Sequence, residues 1–190
     1  MTAMNPTIAP PERRRGRLQL LLLVAVVVGP MVLATLMYRF DFWVPEARSY
    51  HGTLVAGETG LQALGVDQPS DRWQLLVTAP HACADACQRL VYLARQVNIG
   101  LGREADRVVH ALAVATPVDG DYASTLQREY PQLLQQPLDA ERHRQSGTPD
   151  APHLWIVDPH GNLVLRYPAG TQGKGVLEDI KHLLKISRIG

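Results

Sequence analysis

Residues 18–38, LQLLLLVAVVVGPMVLATLMY, form a run of 21 positions without a formally charged side chain. Wound as a helix at about 1.5 Å per residue, such a run is about 30 Å long, the thickness of a bilayer's hydrocarbon core. Gly29 and Pro30 would weaken a soluble helix, whereas inside a membrane neighbouring groups or a local kink can satisfy the freed backbone again. The run therefore predicts a single transmembrane helix, with a basic tail at residues 1–17, a linker at 39–71 and a folded domain at 72–190. A cleaved signal peptide is the competing reading. Against it, the run is longer than a signal core needs, and no small-x-small cleavage site precedes YRFDFWVPE.

Arg13, Arg14, Arg15 and Arg17 crowd the N-terminal side of this run, while only Arg39 and then Asp41 follow closely on the other. The positive-inside rule then keeps the N-terminus cytoplasmic and places the domain beyond the inner membrane, in the periplasm of a bacterial cell. Tyr38, Phe40, Phe42 and Trp43 would suit the outer headgroup layer. The chain's formal net charge of +1 divides into +3 for residues 1–17 and −2 for the rest, so the domain has no basic surplus that would select nucleic acid. Its only two cysteines, Cys83 and Cys87, would face an oxidising compartment, where a close pair is a disulfide unless it is reduced or metallated.

From residue 39 to about 71 the sequence is rich in Gly, Pro, Glu and Ser and lacks sustained periodicity, with room for one short strand at 50–55. WQLLVTA, residues 73–79, is a short apolar run ended by Pro80, the pattern of a strand covered on both faces. Cys87, Leu90, Val91 and Ala94 then recur at helical spacing, and VVHALAVA at 108–115 reads as a second buried strand. Two such strands separated by a helix pair in parallel through a right-handed crossover. A helical stretch around 122–134 and a polar loop follow. Strands at 153–157 and 162–167 meet at the turn Asp158-Pro159-His160-Gly161, and Val176, Leu177, Ile180, Leu183 and Leu184 mark a last amphipathic helix. The order βαβ then ββα predicts an α/β thioredoxin-like domain.

That order, with CxxxC at the head of the first domain helix and one N-terminal anchor, resembles the Sco family of copper-handling proteins that assist cytochrome c oxidase assembly. The likeness runs over residues 73–184, and FWVPEARSYHGTLV is similar to segments of short membrane-anchored proteins associated with oxidase assembly. It implies Cu(I) as cargo, Cys83 and Cys87 as thiolate ligands or redox couple, His153 as third ligand, and oxidase subunits or assembly factors as partners. Where that family carries proline after each cysteine, this chain has Ala84 and Gln88; where it carries its third ligand, an ungapped count from Asp158 arrives at Asp150. His153 lies three residues further on, and Pro152 stands where thioredoxin-like reductases have a cis-proline.

The residues themselves leave several chemistries open. Cysteines at i and i+4 of a helix have Cβ atoms about 6 Å apart, too far for a disulfide unless the first turn distorts, yet suited to converge on a soft ion such as Cu(I). A helix N-terminus favours thiolate for either purpose. Cys87 could instead continue an apolar face, as free cysteine behaves like a small hydrophobe. His153 beside Trp155 reads equally as packing, His81 and Asp150 as solvated loop residues, Asp85 as a first-turn carboxylate favouring the helix dipole, and His110 as a satisfied core histidine. Three functions fit: a tethered copper chaperone or thiol-disulfide protein, a non-catalytic assembly factor or accessory subunit, and a general periplasmic thiol oxidoreductase.

Overall fold

The computed structural model describes residues 13–40, 50–55 and 60–187, and the chain divides into two compact units, Met1–Ala47 and Arg48–Gly190. In the first, helix α1 (Arg13–Phe40) includes the segment Gly16–Leu36, which is long and apolar enough to cross a membrane and has its side chains exposed. Pro30 lies within it, and one turn later Thr35 Oγ1 donates to the Met31 carbonyl at 2.7 Å, a hydroxyl satisfied without water. Tyr38 and Phe40 fall inside α1, while Phe42, Trp43 and the first part of the basic tail lie outside the described residues.

The second unit is a sheet of six strands with helices on both faces. In chain order it contains β1 (Thr53–Leu54), α2 (Leu61–Leu64), β2 (Trp73–Ala79), α3 (Asp85–Gly100), a 3-10 turn at Gly102–Arg107, β3 (Val108–Val114), α4 (Gly120–Glu129), β4 (Leu134–Pro137), α5 (Ala140–Gln145), β5 (His153–Val157), β6 (Leu163–Pro168) and α6 (Gly173–Ile186). The strand order is β1-β6-β5-β2-β3-β4. β2 and β3 pair in parallel across α3, from Trp73 with Val108 to Ala79 with Val114, which is the expected βαβ unit. β5 runs antiparallel to both β2 and β6, and α6 closes the ββα unit. The fold is thioredoxin-like, as the order of elements implies.

All seven residues of β2 are buried because both faces of the central strands are covered. Alternation along the strand sends Leu75 and Val77 into a core with Leu90 and Val91 of α3 and Val176 and Ile180 of α6. Leu76 packs on the opposite face with Leu61, Leu64, Val66 and Trp155. Part of the 39–71 stretch is thus core: its β1 pairs with β6, and α2 supplies two of the buried leucines. Gly65 ends α2 with φ +93°, and a Cβ there would lie 2.5 Å from the Asp139 carbonyl, so only glycine fits where α2 meets the entry to α5.

One expectation is corrected. The helix anticipated around 122–134 stops at Glu129, and Leu134–Pro137 is instead the parallel edge strand β4. Pro131 accounts for the stop, since a residue preceding proline is pushed out of the helical region, and Tyr130 has φ −127° and ψ +53°.

Candidate functional site

β2 delivers the chain through the core to Ala79, and Pro80 ends the strand at the carboxyl edge of the sheet, where open α/β folds place their sites. Residues 81–84 bridge to α3, whose N-cap is Ala84 in extended conformation. Cys83 therefore precedes the helix, while Cys87 sits in its first turn. The helical i,i+4 separation does not apply, and the two cysteines are joined by a disulfide with Cα atoms 5.1 Å apart, inside the 4.4–6.8 Å range such bonds require. Gln88 stiffens the loop, its side-chain amide donating to the Cys83 carbonyl at 3.2 Å.

The pair is asymmetric. Cys87 is 0% exposed, packed into the core beside Leu90 and Val91, whereas Cys83 is only half-buried against the same cluster. A sulfur nucleophile arriving from solvent therefore meets Cys83 first. The displaced Cys87 sulfur would carry its negative charge in the first turn of α3, where the helix dipole favours an anion. Asp85 stands in that turn as the sequence indicates.

β5 brings His153 to the same end of the sheet, paired with Thr78 of β2 on one side and Pro168 of β6 on the other. Its ring lies 6.1 Å from that of Trp155, whose indole N–H donates to Thr78 Oγ1 at 2.9 Å. His153 Nδ1–H donates to the Ala151 carbonyl at 2.8 Å, which leaves the Nε2 lone pair as the ring's accepting or ligating position. Burial holds the imidazole below its ordinary pKa, against the opposing effect of the Ala151 bond, so it is neutral at pH 7. The peptide bond before Pro152 is trans.

His81 and Asp150 are exposed, as their loop positions suggest, but they are not merely solvated: His81 Nε2 lies 3.0 Å from Asp150 Oδ1, linking the loop before Cys83 to the loop before His153. His143 belongs to the same neighbourhood and was not singled out by the sequence. It is 1% exposed on α5, its Nε2 has no hydrogen-bond partner, and burial first, then His153, push its pKa down. AERHRQ, a short polar helix, offers no pattern that marks its histidine as the buried one.

Copper fits this arrangement poorly. Cu(I) needs free thiolates, both sulfurs here are bonded to each other, and among the described residues no group of three His, Cys, Asp or Glu side chains converges as a metal site. His110, the remaining candidate, is buried in β3 as expected but is not satisfied, because its Nε2 lacks a partner.

Comparison with known proteins agrees with this architecture. A family profile described as the transmembrane-like, thioredoxin-like C-terminal domain matches residues 73–187, and the matching transmembrane-like N-terminal domain covers residues 10–41. A search of curated protein sequences finds no relative of the chain. Among solved structures, copper-bound yeast Sco1 is 12% identical over 62% of this chain and 81% of its own, with a TM-score of 0.49. The thioredoxin domain of a thiol-disulfide oxidoreductase from Bacteroides vulgatus is 13% identical over 70% of this chain and 91% of its own, with a TM-score of 0.47. Copper-bound ScoI of Bradyrhizobium japonicum is 16% identical over 60% and 87%, with a TM-score of 0.44. With TM-scores below 0.5 these likenesses carry no argument about the chain. The profile match covers more than half of the sequence, and the chain belongs to the transmembrane-like, thioredoxin-like family.

Proposed function

We propose that this protein is a membrane-tethered thiol-disulfide protein whose Cys83–Cys87 couple exchanges with a partner's dithiol. The observation that carries the reading is the burial asymmetry of a bonded pair at a helix head: Cys83 is half-buried and precedes α3, Cys87 is fully buried within it. A partner thiolate attacks the Cys83 sulfur, the Cys83–Cys87 bond breaks, and Cys87 leaves as a thiolate in the first turn of α3. The partner's second thiolate then attacks the partner sulfur of the mixed disulfide and releases Cys83. The partner ends as a disulfide and the pair as two thiols, with two electrons and two protons transferred; the reverse sequence reduces a partner disulfide. Neutral His153 at the same strand end offers a nitrogen within the site's neighbourhood.

Copper is the second reading, and it applies to the reduced pair, which would present two soft thiolates with a neutral imidazole on the adjoining strand. Service to cytochrome c oxidase assembly follows from the Sco resemblance and gives the partner class. The arginines before the span give the orientation, with the N-terminus cytoplasmic and the domain periplasmic.

The deciding experiment is thiol trapping in intact cells together with the Cys87→Ser variant, in which Cys83 cannot be resolved from within. A reversible disulfide in the wild type and stable mixed disulfides through Cys83 in the variant are expected. A permanently oxidised pair with no trapped partner would leave the cysteines structural and support the accessory-subunit reading. Titration of the reduced chain against a Cu(I) chelator separates the second reading, for which one copper per chain, lost in Cys83→Ser and Cys87→Ser and weakened less in His153→Ala, is required. Alkaline phosphatase fused after Gly190 should be active; an inactive fusion reverses the orientation.

A further inference from the structure

At the opposite end of the central strands from the cysteines, the first half of β3 is paired with β2 on one side only, since β4 pairs with its other side only from Ala111 onward. A cavity of about 240 Å³ occupies that place, lined by Arg95, Asn98, His110, Glu129, Tyr130 and Gln132 among others. A second hollow of about 380 Å³ shares Asn98, His110 and Gln132 with it. We propose that this cleft is a binding site for a small carboxylate, gripped by the Arg95 guanidinium and the His110 imidazole.

His110 supplies the first argument. It is 5% exposed, and its Nε2 is buried without a hydrogen-bond partner although the ring lines both hollows. Buried polar atoms are nearly always paired, so an unpartnered one in a ring that lines a cavity points to a partner from outside the chain. Burial and the facing charge of Arg95 both push His110's pKa down, so the ring is neutral and has one N–H to give.

Arg95 supplies the second. Its guanidinium lies over the Tyr130 ring with Cζ 5.2 Å from the centroid, and among the described residues it has no carboxylate partner. Glu129, on the same wall, is engaged by Arg128 at 2.8 Å. The side-chain amide nitrogen of Asn98 is occupied by the carbonyls of Ala105 and Val108. A planar fork of donors and a separate neutral N–H match the two oxygens of a carboxylate, which accepts two parallel bonds from arginine and still has lone pairs free. An apolar ligand would leave Nε2 unpaired, and a cation would be repelled by Arg95.

The site is independent of thiol chemistry. His110 pairs with Leu75 near the start of β2, whereas Cys83 follows the end of that strand. The test uses the full-length chain in detergent micelles with its histidine imidazoles labelled with ¹⁵N, His110 being assigned by the signal missing from His110→Gln. Acetate, succinate and inorganic phosphate are titrated in turn at constant ionic strength.

A saturable shift of the His110 signal with acetate or succinate is expected. Binding should be about tenfold or more weaker in Arg95→Gln, the loss for one hydrogen bond to a charged group. Arg95→Lys, which keeps the charge without the fork, should fall between. The Cys83→Ser/Cys87→Ser double variant should bind as the wild type does, so failure of the thiol reading would not affect the result. No saturable shift, an equal response in Arg95→Gln, or saturation by phosphate in preference to both carboxylates would overturn the assignment.

Discussion

Two buried polar clusters sit on the same domain and are built in opposite ways. Asp179 of α6, 2% exposed, accepts from the backbone N–H groups of His51 and Gly52 at 2.7 and 3.0 Å, from the Tyr167 hydroxyl at 2.7 Å, and lies 2.9 Å from His51 Nδ1. His143, beside the cysteine site, is as deeply buried and has an open Nε2. A buried carboxylate with its lone pairs filled is a fastener, here tying the entry of the domain to its last helix. A buried imidazole with an unfilled nitrogen does nothing for stability, and its presence is explained by chemistry or not at all.

The largest test of the fastened region is where the domain starts. A chain beginning at Arg48 should fold cooperatively, whereas one beginning at Ser70 loses Leu61, Leu64 and Val66 from the core and the donors that hold Asp179. Each buried leucine is worth about 2–5 kcal/mol, so the shorter chain should be less stable by about 6 kcal/mol or more, comparable with a domain's whole stability. Urea unfolding followed by circular dichroism measures the difference. Equal midpoints would mean that β1 and α2 merely lie on the fold.

This is also where sequence reading met its limit. The span, the βαβ and ββα units and the position of the cysteines were legible, because long apolar runs and helical stripes carry their own periodicity. β4 was not, since LQQP buries a single glutamine and is placed by its neighbour β3. α2 and α5, four and six residues long, are too short for a stripe; α5 is fixed by Asp139, which caps it by accepting from the N–H groups of Glu141 and Arg142. The His51–Asp179 contact spans 128 positions and has no local signature. At the site, the carboxyl edge of β2 could be read, while the first residue of α3 could not, and that one boundary decided whether Cys83 and Cys87 lie at helical separation or within disulfide reach.

The next effect in size is removal of the fastener itself. Asp179→Leu leaves two backbone donors and the Tyr167 hydroxyl without an acceptor and should destabilise the full chain by about 3 kcal/mol. Tyr167→Phe, which removes one donor and keeps the ring, should cost about 1 kcal/mol. If both variants unfold at the wild-type urea concentration, the cluster is not what binds the entry segment.

Breaking the disulfide should matter less than losing Asp179. Cys83 and Cys87 are four positions apart, and closing so short a loop contributes only about 2 kcal/mol in the chain-entropy account. The reduced domain should therefore remain folded, as an exchanging couple requires. Complete unfolding on reduction, read by circular dichroism with and without dithiothreitol, would make the bond structural and remove the support for exchange.

At the unfilled cluster the expected change is smaller still. His143→Phe replaces an imidazole that has an open nitrogen with a ring of similar shape, so stability should change by less than about 1 kcal/mol in either direction. Impaired partner exchange in this variant at unchanged stability would place His143 within the working site, and a large loss of stability would show that Nε2 is satisfied in solution.

The smallest effect separates the two clusters by pH. The hydrogen bond to Asp179, followed by that carboxylate's charge, raises the pKa of His51 above its ordinary value, while burial lowers that of His143. For His51 the folded state holds its proton more tightly than the unfolded state. Its contribution is therefore fully present below the unfolded pKa of about 6.5 and is lost as pH rises through the higher folded value. His143 has the reverse sign: the folded state disfavours its proton, so stability falls on acidification below the unfolded value. The stability difference between the wild type and His51→Gln should then be constant at low pH and shrink above about 6.5, whereas that between the wild type and His143→Phe should move in the wild type's favour as pH rises towards about 6.5 and be constant above it. Urea midpoints across pH 5 to 8 test both at once. Parallel curves for the two variants would erase the distinction between a fastened and an open cluster.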